Sequence, residues 1–211
     1  MEKLINLYSN LDEDKRLSKR LATQIEFDTT KHILSKYLKG KKTITEIGAV
    51  TGKYSLHYAS LGHNVIAVEI VPEYCKILIG KAIDQNISVQ VFEGNATDLS
   101  FIESESQDIV LMLGPLYHLK TAEERKAAMQ EAKRIVRKDG ILAIAYINKF
   151  FVASLFAQKF PELINNEILD ELINKGTVNS KAAETFFNIG YFSSPDEMED
   201  LITENGFQIK E

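Results

Sequence analysis

The residues of this chain best suited to chemistry fall in four short segments. Glu46-Ile47-Gly48-Ala49-Val50-Thr51-Gly52 follows a β-branched run and precedes an amphipathic stretch that begins at Lys53. Glycine at such a strand-to-helix turn lets the backbone approach a ligand closely. The helix N-terminus beyond it offers N–H groups to a carboxylate or phosphate. Two glycines alone also describe a tight turn that binds nothing. Glu69 ends a second apolar run, 17 positions past Gly52, and a carboxylate there can accept hydrogen bonds from both hydroxyls of a ribose. A polar loop, Glu93-Gly94-Asn95-Ala96-Thr97-Asp98, follows a third run. A fourth ends in Gly114-Pro115-Leu116-Tyr117-His118-Leu119. The His118 imidazole titrates near neutrality and is the best general-base candidate. Its alternative is a structural hydrogen bond within the loop. Tyr117 either shapes a pocket and flanks a cation through its ring or simply packs.

These segments need a frame that brings them to one edge. Residues 43–47, 64–68, 89–92, 108–113 and 141–147 read as strands that are apolar almost throughout, and residues 53–60, 72–85 and 121–136 between them as helices. Such alternation implies a parallel sheet covered on both faces, an α/β doubly wound architecture. In it, ligands bind outside the carboxyl ends of the strands, where the four segments lie. Asp139-Gly140 reads as a turn before the fifth strand.

Residues 1–42 read as a helical cap, with Leu17, Leu21 and Ile25 at helical spacing, as are Ile33, Leu34, Tyr37 and Leu38, and Gly40 as the stop. Residues 149–190 interrupt the alternation as an insertion over the sheet's carboxyl edge. Residues 191–211 supply a helix from Ser194-Pro195, a stop at Asn205-Gly206, and a sixth strand over 207–210. One domain over 1–211 accommodates all of this.

The glycine spacing selects among nucleotide cofactors. A dinucleotide fingerprint needs G-x-G-x-x-G. Counted from Gly48, this chain has Val50 and Lys53 at the second and third positions, and Val50 would crowd a pyrophosphate. A nicotinamide-dependent oxidoreductase is thereby disfavoured. The spacing Gly48-x-x-x-Gly52 suits a cofactor with an amino-acid tail in that place.

On these residues the chain resembles the class I S-adenosylmethionine-dependent methyltransferases over nearly its whole length, and more narrowly a bacterial, small-molecule-type group with L-G-P-L/M-Y-H-L after strand four. Residues 46–52 are similar to the first motif, E/D-x-G-x-G-x-G; 65–69 to the second; 94–99 to the adenine-side motif; and 108–119 to the fourth. Tyr8 and the run Asp12 to Leu17 resemble that group's leader. The resemblance implies S-adenosylmethionine as cofactor and methyl transfer as activity. It implies cofactor contacts by Glu46, Gly48, Ala49, Gly52, Tyr54, Glu69, Ile70, Asn95, Ala96 and Leu113. Among these, Gly48 and Gly52 would line the methionine, Glu69 would hold the ribose, Asn95 and Ala96 would edge the adenine, and the Leu113 carbonyl would face the methionine amino group. Tyr54 and Ser55 either touch the cofactor carboxylate or cap the helix. Tyr8 and Arg16 would belong to a lid, although Arg16 equally fits a surface ion pair. Val50 departs from the middle glycine of the motif, and Asn95 stands where Asp is frequent. The family sheet closes with an antiparallel seventh strand, whereas four residues follow Phe207 here. That implies a truncated chain or an incomplete sheet edge.

Methyl transfer from a sulfonium asks the protein mainly to position an acceptor and exclude water. The lack of a triad-like cluster is therefore compatible with catalysis. A net charge of -5 argues against a general nucleic-acid binder, which carries a basic stripe; Lys36, Lys39, Lys41 and Lys42 read as a solvated helix end. The lone cysteine, Cys75, precludes an internal disulfide and fits a reducing cytoplasm. No apolar run reaches the ~20 residues of a membrane helix. The four histidines lack metal-ligand spacing, so no metal site is expected. The apolar and aromatic insertion points to a small, partly apolar acceptor. A non-catalytic cofactor-binding protein on the same fold is the remaining alternative.

Overall fold

The computed structural model describes Ile5 and residues 21–159, 161–179 and 190–210. Helix α1 (Leu21–Ser35) leads into β1 (Thr43–Ile47), α2 (Lys53–Ser60), β2 (Asn64–Glu69), α3 (Pro72–Asp84), β3 (Gln90–Glu93), β4 (Gln107–Met112), a 3-10 turn (Pro115–Tyr117), α4 (Ala122–Ile135) and β5 (Val136–Ile144). The insertion holds α5 (Lys149–Lys159), a short helix α6 (Asn166–Asp170) and a π turn (Glu171–Lys175), and α7 (Pro195–Glu204) follows.

The five strands are parallel in the order β3-β2-β1-β4-β5. The chain winds outward from β1 to β3, then crosses to β4 and β5. The order reverses between β1 and β4, which makes their carboxyl ends the switch point. Strand periodicity sorts the side chains into two layers. Ile109 and Leu111 of β4 pack with Ile44, with Phe27 and Leu34 of α1, and with Tyr54 and Tyr58 of α2. Val110 and Met112 pack on the other face with Ala128, Met129 and Ala132 of α4 and Met198 of α7. Every residue of β4 is buried, as expected of a central strand in a sheet covered on both sides.

At the amino ends of the strands, opposite the switch point, Asp108 ties β4 to β1. Its Oδ2 accepts from the Thr43 N–H at 2.7 Å and from Thr43 Oγ1, and Arg137 and Lys42 approach its Oδ1. Burial pushes this carboxyl up, but the Thr43 hydrogen bonds and the two cations outweigh it and hold Asp108 below the usual carboxylate range.

Two expectations are corrected. The fifth strand begins at Val136, not 141, and ends at Ile144. It runs through Asp139-Gly140, which is a bulge: the register steps from Gln107↔Val136 to Ile109↔Ile141. Asp139 adopts a left-handed φ of 61°, and a Cβ on Gly140 would lie 2.6 Å from Val136 Cγ2 and 2.9 Å from the Arg137 carbonyl oxygen. The turn signal was real, but it bends a strand instead of starting one. Residues 207–210 form no strand. Asn205-Gly206 ends α7 as read, with Gly206 at φ 75°. The Gly206 N–H donates to Thr203 O and the Phe207 N–H to Ile202 O, the paired bonds of a Schellman cap. The Phe207 ring packs on the core beneath Lys133 Nζ, 4.5 Å from its centroid. Cap and core thus hold the residue that was to start the strand. Among the described residues, no strand covers the outer edge of β5.

Candidate active site

The first loop is shaped by three residues in the left-handed region, Gly48, Val50 and Gly52, at φ 75°, 52° and 84°. A Cβ on Gly48 would lie 3.0 Å from Pro115 Cδ and Cγ, and one on Gly52 2.5 Å from Leu78 Cγ. Gly48 therefore lets the β1 loop approach the β4 loop, and Gly52 lets it lie on α3. The Gly48 and Ala49 N–H groups both donate to Val68 O, at 2.8 and 3.1 Å. Gly52 is the N-cap of α2 and contributes no side-chain cap.

Two buried carboxyls flank this loop with different tasks. Glu69 closes β2. Its Oε2 accepts the Val50 N–H at 2.7 Å and its Oε1 the Val71 N–H at 2.8 Å. Burial raises its pKa, and backbone hydrogen bonds from Val71, Val50 and Ile70 oppose the rise. Glu46 lies in β1, and its Oε2 accepts both the backbone N–H of Ser55, at 2.8 Å, and the Ser55 hydroxyl. Complete burial pushes the Glu46 carboxyl up to about 8, further than the Ser55 hydrogen bonds pull it down.

In the third loop, Gly94 N–H donates to Glu69 O at 3.0 Å, and Asn95 Oδ1 accepts from Thr97 N at 3.2 Å. The fourth loop folds into the 3-10 turn, where His118 N–H reaches Pro115 O at 2.9 Å. The Tyr117 and His118 rings meet edge to face at 4.6 Å. Arg125 of α4 clamps this loop: its Nη1 donates to Leu119 O and Lys120 O, both at 2.9 Å, and its guanidinium stacks 3.5 Å from the Tyr191 ring centroid. Tyr191 N–H in turn donates to Tyr117 O at 2.7 Å, which ties the start of the C-terminal segment to the same loop.

These segments enclose a cavity of about 520 Å³ at the switch point, within the ~300–1,000 Å³ usual for ligand sites. Of the residues singled out from sequence, Gly48, Tyr54, Glu69, Ile70, Asn95, Ala96, Leu113, Tyr117 and His118 line it. Glu46, Ala49 and Gly52 stand behind the wall. The Glu46 carboxyl is taken up by Ser55, which anchors the start of α2; Ala49 packs against Ala67 and Leu78; Gly52 is pressed against Leu78. Tyr8 and Arg16 lie outside the described residues. Further lining residues escaped the sequence reading: Glu26 and Thr30 of α1, Tyr74 of α3, and Tyr146 and Ile147 after β5. Tyr146 and Ile147 had a signal, because they end the fifth apolar run and strand ends line the crevice. Glu26 had none, since only tertiary packing decides which turn of α1 reaches the cavity.

The donor set fits an adenosine cofactor with an amino-acid tail. The glycine-cradled loop leaves room for close approach, Glu69 stands at the end of β2, and no Lys or Arg among the described residues lines the cavity to meet a pyrophosphate. Among the described residues, no group of three or more His, Cys, Asp or Glu is placed to hold a metal ion. None of their helices is long and apolar enough to cross a membrane.

Residues 45–144 match the family model described as a methyltransferase domain. An uncharacterized protein of Mycobacterium tuberculosis strain H37Rv is 27% identical over 101 residues, 48% of this chain and 35% of the relative. The chain thus spans about a third of the length of the curated relatives it matches. Two solved structures share its fold. A protein of Methanosarcina mazei described as a SAM-dependent methyltransferase superposes with a TM-score of 0.70 at 23% identity, over 85% of each chain. The PH0226 protein of Pyrococcus horikoshii gives 0.71 at 17% identity, over 94% of this chain and 88% of that one. Over residues 45–144 the chain is thus similar to a methyltransferase domain, and the two solved structures share the fold of the chain around it.

Proposed function

We propose that the chain is an enzyme that methylates a small molecule at the expense of S-adenosylmethionine, and that it belongs to the small-molecule-type group with the Gly114 to Leu119 loop. The observation that carries this reading is the convergence of four chemically distinct loops on one cavity at the switch point. When bound, the cofactor supplies an electrophilic methyl on a sulfonium. The chain's residues do the rest. Glu69, Ile70, Asn95 and Ala96 hold the nucleoside end, Gly48 and Leu113 the amino-acid end. Tyr117 and His118 border the space left for an acceptor, and Tyr146 and Ile147 close it from the β5 side. The apolar majority of this wall excludes water, which strengthens every polar contact inside it. His118 takes a proton where the acceptor must lose one. We treat the cap, the core, the insertion and the C-terminal helix as one unit built around this cavity, in a cytoplasmic enzyme.

The test is transfer. Full-length protein incubated with methyl-labelled S-adenosylmethionine and a panel of small phenols, amines, thiols and carboxylic acids should label one acceptor class and release S-adenosylhomocysteine. Tight cofactor binding with no labelled product from any class would favour a non-catalytic binding protein instead.

A further inference from the structure

Resting on the cofactor reading above, we infer that Glu26, on the cap helix, is the carboxylate that receives the ammonium group of the cofactor's amino-acid tail. Two carboxylates line the cavity among the described residues, Glu69 and Glu26, and no Lys or Arg lines it. Glu69 belongs to the nucleoside end, on β2 beside Asn95 and Ala96. Glu46, the acidic residue of the first loop, does not line the cavity: it is buried in β1 and engaged by the N–H and hydroxyl of Ser55. Of the two carboxylates that line the cavity, Glu26 is therefore the one on the cap-helix side, away from the nucleoside end.

Its position fits that end. Phe27, the next residue, is buried against Tyr54 with ring centroids 4.9 Å apart, which fixes this turn of α1 over the start of α2. Thr30 lies one turn further on the same face and also lines the cavity. The α1 helix packs on one face of the sheet, with Ile44 of β1, Val65 of β2 and Ile109 and Leu111 of β4 in the same cluster as Phe27 and Leu34. The Phe27–Tyr54 contact thus sets the Glu26 turn beside the part of the cavity bordered by the Gly48 loop and the start of α2, while Glu69 closes β2 beside the third loop. Glu26 is exposed at the rim of the cavity, unlike the buried Glu46. A charge-assisted hydrogen bond there opposes the ammonium, while Leu113 and Gly114 carry the backbone that borders it.

The assignment is read by affinity with three ligands: S-adenosylhomocysteine, its analogue lacking only the amino group, and 5′-methylthioadenosine, which lacks the whole tail. Calorimetry on the full chain should show Glu26→Gln binding S-adenosylhomocysteine about tenfold more weakly than wild type. The deaminated analogue and 5′-methylthioadenosine should bind both proteins within about twofold. Unchanged affinity for S-adenosylhomocysteine in Glu26→Gln overturns the assignment and leaves Glu26 facing the acceptor. Equal losses for all three ligands also overturn it, because a general disturbance of the cap does not distinguish an amine. Failure of wild type to bind any of the three defeats the cofactor reading itself, and this assignment with it.

Discussion

The backbone N–H of Val50 donates to Oε2 of Glu69 at 2.7 Å, so the carboxylate at the end of β2 also holds the loop that follows β1. The Val71 N–H on Oε1 extends the tie to the start of α3. Each oxygen retains a second lone pair for a ribose hydroxyl. Glu69→Ala should therefore lower cofactor affinity by about 1.5–3 kcal/mol through lost charge-assisted hydrogen bonds, and should lower the Tm as well, since two backbone donors lose their acceptor. Calorimetry and thermal melts on one preparation check both. Full affinity in the variant would remove Glu69 from the nucleoside end.

Val50 is a β-branched residue at φ 52°, in a region where an L side chain costs roughly 1–2 kcal/mol. Glycine removes that strain but loses roughly 0.5–1 kcal/mol to the freedom of the unfolded chain. Val50→Gly should thus match or exceed wild type in stability by up to about 1.5 kcal/mol. It should also bind the cofactor more tightly, because Val50 lines the cavity and glycine there leaves more room. Chemical denaturation and calorimetry measure the two effects. A stability loss above about 1 kcal/mol would show that the Val50 side chain makes contacts worth more than the strain.

Glu46 has a pH signature. Its carboxyl, ordinarily near 4.5, is pushed up to about 8 by burial in the folded chain. Across that window the folded state keeps a proton that the unfolded state releases. The contribution is fully present below pH 4.5 and is lost as pH rises toward 8. Glu46→Gln imitates the protonated carboxyl and can still accept from Ser55. Wild type should therefore lose Tm relative to Glu46→Gln as pH rises from 4.5 to 8. Parallel Tm curves would mean that Glu46 is ionised in the fold throughout.

His118 should serve the acceptor and not the cofactor. Pro115 stiffens the turn and packs against the face that Gly48 leaves open. Arg125 and Tyr191 hold its far side. Once an acceptor is found, His118→Ala should reduce turnover by ~100-fold or more, with cofactor affinity within about twofold. A large loss of cofactor affinity would put the imidazole at the wrong end of the cavity.

The sheet was legible because its strands are short, β-branched and bounded by glycines, and the crevice because strand ends carry the unusual residues. Glu69, Asn95 and His118 all follow from those two facts. Four features resisted reading for distinct physical reasons. The Asp139-Gly140 signal marks a left-handed backbone, which serves a bulge as well as a turn. Phe207 has a strand former's side chain, yet the Schellman cap of α7 claims its N–H. Glu46 carries a motif's acidic residue, but whether a carboxyl in β1 faces the cavity or Ser55 depends on a rotamer that spacing does not encode. Glu26 was missed because the cap helix has a uniform polar face until it is packed on Tyr54.

The central claim is that the switch-point cavity takes S-adenosylmethionine. Isothermal titration of the full-length chain with S-adenosylhomocysteine, and separately with NAD, tests it most directly. The account predicts micromolar affinity for S-adenosylhomocysteine, roughly -7 to -8 kcal/mol, and no measurable heat with NAD. A folded protein that ignores S-adenosylhomocysteine and binds NAD would contradict it.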